Sequence, residues 1–269
     1  MSKSKKFFSY LFLIVASVIS VFPLYWMISA ATNTSLDITR GKLIPGTALL
    51  QNIANLTANY HVGDAMWNSF RYAITLTVLS LLICSLAGYG FEIYHTKGKD
   101  RVMNILLLAM MVPFVAIMIP LYQMCSRIGI MNSIWGFMLP TLSTPLLIML
   151  FRQASRTFPY DIIEAARLDG VSELGIFFRI YMPGMKSTYA AGMTITFMNA
   201  WNSYLWPKVI MTDGTSLTMP MLVANLKEGY VTDYGALMLA VLLCTLPTAV
   251  IFLLLQKNFA AGITGAVKQ

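Results

Sequence analysis

Six apolar runs decide what this chain can fold into. They cover residues 7–30, 68–93, 103–123, 134–151, 187–207 and 235–256. An α-helix needs about 20 apolar residues to cross the hydrocarbon core of a bilayer, where every backbone N–H and C=O must find its partner within the segment. The runs therefore predict an all-α membrane protein of about six transmembrane helices. The fifth run is the weakest, because Asn199 and Asn202 interrupt it. Composition agrees: 57% of residues are hydrophobic and 11% charged, against roughly 25% charged in a soluble domain. The runs extend along the whole chain and predict a single transmembrane domain over residues 1–269.

The first run follows Lys3, Lys5 and Lys6 and ends in Ser29-Ala30-Ala31, which invites comparison with a secretory signal. It is longer than the roughly 7–15-residue apolar core of such a signal. Tyr25 and Trp26 stand where an interfacial aromatic belt would lie. The expectation is an uncleaved anchor. Basic residues set the orientation. Lys97, Lys99, Arg101, Arg152, Arg156, Arg167, Arg179, Lys186 and Lys257 fall in the N-terminal side's segments, outnumbering Arg40, Lys42, Arg71, Arg127, Lys208 and Lys227 in the alternate ones. The positive-inside bias then places both termini in the cytoplasm. The net charge of +8 is spread through these short loops, so it reads as an orientation signal rather than a nucleic-acid surface.

One inner loop, residues 152–186, stands out. Asp161, Glu164, Arg167, Asp169, Glu173 and Arg179 bar it from lipid, since each charge costs about 2.5–3.5 kcal/mol at a membrane-helix centre. It is nevertheless patterned like folded protein. Pro159 suits a helix start, and Asp161 and Glu164 complement the positive end of the helix dipole. Ile162, Ala165, Ala166 and Asp169 recur at helical spacing and predict one face. Gly170 suits a left-handed helix end, Ser172 can cap a second helix carrying Leu174, Ile176, Phe177, Phe178 and Ile180, and Pro183 stops or kinks it. Glu164 and Arg167, three apart, can pair with each other or with a partner protein. On these residues alone, a surface-lying amphipathic hairpin and a docking handle for another protein are equally open.

The spaced string Glu164-Ala165-Ala166, Asp169-Gly170, then Ile180-x-Met182-Pro183 resembles the EAA motif of ABC importer permeases, with Met182 where the family usually has Leu. Asn68-Ser69 and Gly88-Tyr89-Gly90-Phe91 resemble the second helix of the sugar-type members. Ile119-Pro120-Leu121-Tyr122, with Gly129 and Asn132, resembles their third helix and the turn after it. Trp201-Asn202-Ser203-Tyr204-Leu205-Trp206-Pro207 is similar to a family segment that usually has an acidic residue where Ser203 stands. The tail from Gln256 through Gly262, Thr264 and Gly265 resembles the C-terminus of the maltose-transporter class. The resemblance implies a type I ABC importer permease fold in a bacterial or archaeal inner membrane, moving a sugar or oligosaccharide inward. It implies as partners a second permease subunit, two ATPase subunits carrying ATP and Mg, and an extracytoplasmic sugar-binding protein. Glu164, Ala165, Ala166, Arg167, Asp169, Gly170, Ile180 and Pro183 would then couple to the ATPase, and the 256–269 tail would reach toward it.

The chain itself carries no phosphate-cradling G-x-x-x-x-G-K-[ST] loop; Gly184-Met185-Lys186-Ser187 lacks the upstream glycine. His61 and His95 fall on opposite sides of the membrane. Cys84, Cys125 and Cys244 are isolated, so no metal or cofactor is expected and no enzyme. The middles of the runs are free of charge, which disfavours the rival class, a stand-alone ion-driven carrier or channel. A sugar path needs hydrogen-bonding groups and aromatic faces. Asn199, Trp201, Asn202, Tyr204 and Trp206 supply both, with Asn68 and Ser69 as weaker candidates. Interfacial anchoring and interhelical hydrogen bonding account for the same residues.

Overall fold

The computed structural model describes residues 3–228 and 232–267, with side chains for 6–228 and 232–256. Regular structure among the described residues is helical throughout. In chain order the helices are α1 (Lys3–Ala31), α2 (Ser35–Thr39), α3 (Leu49–Asn59), α4 (Val62–Ile93), α5 (Lys97–Ala109), α6 (Phe114–Arg127), α7 (Ile134–Met138), α8 (Pro145–Ser155), α9 (Tyr160–Leu168), α10 (Glu173–Ile176), α11 (Met182–Gly184), α12 (Lys186–Trp201), α13 (Leu205–Ile210), α14 (Met219–Lys227) and α15 (Tyr234–Val267). A 3₁₀ turn at Leu139–Thr141 extends α7, and a π-helical turn at Phe177–Tyr181 joins α10 to α11.

Among the described residues, three helices are long and apolar enough to cross a membrane: Lys6–Ala31, Val62–Ile93 and Tyr234–Gln256. Two further pairs qualify only when each is counted as one broken span, which gives up to five. The break between α5 and α6 bends the chain by 98°, and that between Ile134–Thr141 and α8 by 55°. Proline explains both breaks. Pro113 stands directly before α6 and Pro145 opens α8; each lacks an N–H and forces its predecessor out of helical geometry. Pro23 and Pro247, by contrast, lie inside α1 and α15, which each continue as a single helix. The fifth apolar run is where expectation and structure differ most. Its helix, α12, stops after 16 residues, with Asn202 as its C-cap, short of the roughly 20 residues a crossing needs.

The chain divides into two compact units. The first comprises Met1–Met66 with Met219–Pro247, and the second Trp67–Thr218 with Thr248–Gln269. In the first unit, the segment after α1 is not a loose loop. The Asn52 amide donates to the carbonyls of Ala31 and Asn33 at 2.9 and 3.0 Å, fixing α3 against the end of α1. Asp233 accepts from the Ser35 hydroxyl, the Asn55 amide and the N–H groups of Gly235 and Ala236, which caps the start of α15. Burial pushes its carboxyl up, but these donors outweigh burial and hold it below the ordinary carboxylate value.

In the second unit, α4, α5 and α8 share a core of Leu81, Cys84, Met103, Leu147, Ile148 and Phe151. Gly88 makes the α4–α8 approach possible. A Cβ there would stand 2.6 Å from the Phe151 Cβ and 2.8 Å from the Arg152 amide nitrogen, closer than packed atoms tolerate. Replacement by a larger residue must push the helices apart. Gly88→Leu is expected to lower the midpoint of thermal unfolding in detergent, at a cost of about 1–3 kcal/mol or more; an unchanged midpoint would show that the helices are not in contact there.

Candidate functional site

The 152–186 segment folds as a polar two-helix unit, and its sequence explains each turn. Pro159 precedes α9 with φ −62°, and Asp161 occupies its first turn. The end of α9 is a double-hydrogen-bonded left-handed cap. Gly170, at φ +77°, donates to the Arg167 carbonyl, and Val171 donates to that of Ala166, both at 3.0 Å. Ser172 then caps α10, accepting from the Gly175 N–H at 3.3 Å.

The four residues that spacing placed on one face of α9 do not share one environment. Ile163 and Ala166 face inward, while Ile162, Ala165 and Asp169 face outward with Asp161, Glu164 and Leu168. The rings available to pack against decide this. Ile163 and Ala166 join Ile176, Phe177, Tyr181 and Met185 of the same segment in one core with Tyr89 of α4 and Ala154 of α8. Phe177 and Tyr181 stack at 5.5 Å, and Tyr89 meets Tyr181 edge-on at 4.8 Å. The buried Tyr181 hydroxyl lies 2.6 Å from that of Ser155, which ties the π-helical turn to the end of α8. Ile180 and Met182 pack on this core from its edge, and Pro183 is exposed on α11.

Arg167 pairs with Glu173, not with Glu164. Its Nε donates to Oε1 at 2.7 Å and its Nη2 to Oε2 at 3.3 Å. The glycine turn brings the two helices close enough for this fork. The guanidinium also donates to the Tyr160 hydroxyl at 3.1 Å and lies 5.5 Å from the centre of the Tyr94 ring. The Arg167 guanidinium, then Tyr94, hold the Glu173 carboxyl below its ordinary value, and Glu173 in turn raises Arg167. The sequence marked Glu173 only as a charge and Tyr89 only within the Gly88–Phe91 string, and it did not point to Tyr94 or Tyr160, because no local spacing relates the four. Glu164 thus stays on the outer surface, one helical turn from Leu168. Leu168 is 89% exposed, Leu174 64% and Ile162 46%.

The residues suggested for a solute path separate into three groups. Asn199 and Trp206 line a cavity of about 360 Å³ together with Ser80, Thr141, Thr144, Thr196 and Ser203. The Ser80 hydroxyl is buried and has no hydrogen-bond partner among the described residues. The Trp206 indole donates to the Gly136 carbonyl at 3.0 Å. Trp201 is packed away from the cavity between Phe70 and Phe197. Asn202 is exposed, and the Tyr204 ring lies under Lys208. Asn68 and Ser69 are buried. The Asn68 amide donates to the carbonyls of Thr215 and Leu217, so it holds the 214–217 turn. Asn132, at φ +54°, holds the same segment by accepting from the N–H groups of Thr212 and Asp213. In the tail, the Gln256 amide donates to the Leu253 carbonyl. The backbone remains helical through Gly262, Thr264 and Gly265, and side chains beyond Gln256 lie outside the described residues.

Comparison with known proteins assigns this architecture. Residues 86–265 match the family described as binding-protein-dependent transport system inner membrane component. The lactose transport system permease protein LacG of Rhizobium radiobacter is 43% identical over 259 residues, covering 96% of this chain and 95% of that protein. The arabinooligosaccharides transport system permease protein AraQ of Bacillus subtilis is 31% identical over 264 residues, covering 96% and 94%. A chain from the crystal structure of a bacterial ABC transporter involved in import of the acidic polysaccharide alginate superposes with a TM-score of 0.85 over 96% of this chain and 99% of that one, at 18% identity, and so shares the fold. The chain belongs to the family of binding-protein-dependent ABC importer permeases: it is a multi-pass inner-membrane subunit that works with an ATPase and a binding protein and is not itself the ATPase.

Proposed function

We propose that this chain is one of two permease subunits of an importer that moves a sugar or oligosaccharide inward, with its 152–186 loop facing the cytosol as the handle for an ATPase. The observation that carries this reading is the outer ridge of α9 and α10. A segment too charged for lipid is folded on its inner face, yet leaves Leu168, one turn from Glu164, exposed together with Leu174 and Ile162. Water does not stabilise such an apolar ridge, and burial against another protein does. Gly170 and the Arg167–Glu173 fork give the ridge a fixed shape before any partner arrives.

In this assembly α12 and α13 together complete a sixth crossing, broken at Asn202, and both termini lie in the cytosol. ATP and Mg are held by two ATPase subunits, toward which the 256–269 tail extends. A binding protein delivers the solute from outside. The names of the relatives, lactose and arabinooligosaccharide permeases, support a carbohydrate cargo. Ser80, Asn199 and Ser203 set hydroxyls and an amide into an otherwise mostly apolar cavity, which supports a place for this subunit on the path.

Glu164→Lys puts the wrong charge at the centre of the ridge, and Gly170→Val forces a β-branched residue into a left-handed backbone, costing about 1–2 kcal/mol. Both variants are expected to insert normally, judged by their abundance in the membrane fraction, yet abolish ATP-driven uptake by the assembled complex. Normal uptake in both would refute the coupling role. Arg167→Ala removes a half-exposed pair worth no more than about 1 kcal/mol, so the expected effect is local: faster amide hydrogen exchange across residues 160–170, with the spans unaffected. The pair's pH dependence has a defined sign. Because the folded-state value of Glu173 is lowered, its contribution is present above the ordinary value of 4.5 and is lost as pH falls through the lowered one. Exchange protection of this segment, corrected for intrinsic rates, is therefore expected to be flat near neutrality and to weaken only in acid; a loss near neutral pH would contradict the assignment.

A further inference from the structure

Force applied to the loop must reach the spans, and an ion cluster built around one buried arginine lies on that route. Arg152 stands in the last turn of α8 and is only 6% exposed. Its Nε donates to Glu92 Oε2, in the last turn of α4, at 3.1 Å, and its Nη2 donates to Asp100 Oδ1, in the first turn of α5. One planar guanidinium thus holds three chain segments. A second layer surrounds it. The Arg156 Nε donates to the same Glu92 oxygen at 3.3 Å, and His95 Nε2 lies 2.9 Å from Asp100 Oδ2. The Lys99 ammonium donates to the carbonyls of Gly90 and Tyr94 at 2.8 and 2.7 Å, fastening the turn between α4 and α5.

The cluster is continuous with the loop. Three residues after Arg152, the Ser155 hydroxyl meets Tyr181; six residues after it, Phe158 packs on the Tyr181 ring at 5.4 Å. Exposed ion pairs yield easily to water. The guanidinium of Arg152 differs from these: it is itself buried, so removal of its carboxylates would leave its charge uncompensated. The fork also fixes direction as well as distance, which the single point charge of a lysine cannot do.

We propose that Arg152 is a positioning residue for energy coupling: its fork locks the α4–α5 turn to α8, so that displacement of the loop moves α4, α5 and α8 as one body. This inference rests on the coupling role proposed above for the loop, and concerns what happens downstream of it. Nothing in the family match assigns such a role to Arg152, Glu92 or Asp100.

The test is a distance measurement on the complex purified with its ATPase. Spin labels replace the exposed residues Arg179, in the loop, and Lys97, at the start of α5. Pulsed electron–electron resonance is recorded without nucleotide and with ATP trapped by vanadate. With Arg152 present, one narrow distance distribution is expected, the same in both states. With Arg152→Gln, the trapped state is expected to broaden or split while ATP hydrolysis persists. A purely structural role would lower the melting temperature or the yield without altering the distribution. An Arg152→Gln distribution identical to that of the unsubstituted complex in both states would overturn the proposal. Should that variant not assemble, Arg152→Lys keeps the charge and loses the fork; broadening in the trapped state supports the proposal and an unchanged distribution overturns it. Failure of the unsubstituted chain to co-purify with any ATPase would instead sink the coupling reading itself.

Discussion

A segment carrying Asp161, Glu164, Arg167, Asp169, Glu173 and Arg179 cannot enter hydrocarbon, and one side of this protein is organised around that exclusion. The segment joins α8 to α12, so it cannot drift away from the membrane either. It resolves the conflict by burying Ile163, Ala166, Ile176, Phe177 and Tyr181 against Tyr89 of α4, and by pairing Arg167 with Glu173 at the rim. The inner face satisfies the spans, and the outer face is left with exposed apolar side chains, Leu168, Leu174 and Ile162. A rigid, outward-facing unit tied to a helix bundle is what an importer driven by a separate ATPase requires.

The sequence disclosed this unit because its signals are local. Pro159, Gly170 and Ser172 act within a few residues of themselves, and each does what its chemistry predicts. Facing and pairing were less legible. Helical spacing groups Ala166 with Ile162, Ala165 and Asp169, and equally admits the stripe of Ile163 and Ala166 that is buried. The choice between them is made by Tyr89, more than seventy positions upstream, and by Phe177 and Tyr181 beyond the turn. Likewise Glu164 is the nearer carboxylate to Arg167 along the chain, but the glycine turn delivers Glu173 with the better geometry.

The spans show the same division. Hydropathy located the apolar runs, yet it does not register a backbone that bends. Pro113 and Pro145 turn two runs into broken pairs, and Asn202 ends α12 early. Such breaks are stable in lipid only where the freed backbone groups face protein or a wet cavity. The end of α12 lies beside protein and a mostly apolar cavity into which Asn199 and Ser203 bring polar groups where the helix stops. The aromatic and amide residues between positions 199 and 206 looked alike in sequence. In the fold they divide between cavity lining, core packing and surface, because a helix end sends neighbouring side chains in different directions.

The central claim is that the exposed ridge of α9 meets an ATPase. A photoreactive amino acid at Leu168, irradiated in native membranes and followed by mass spectrometry of the captured species, tests it most directly. The account predicts capture of a protein bearing a phosphate-binding G-x-x-x-x-G-K-[ST] loop. Capture of an extracytoplasmic binding protein, or of lipid alone, would contradict it.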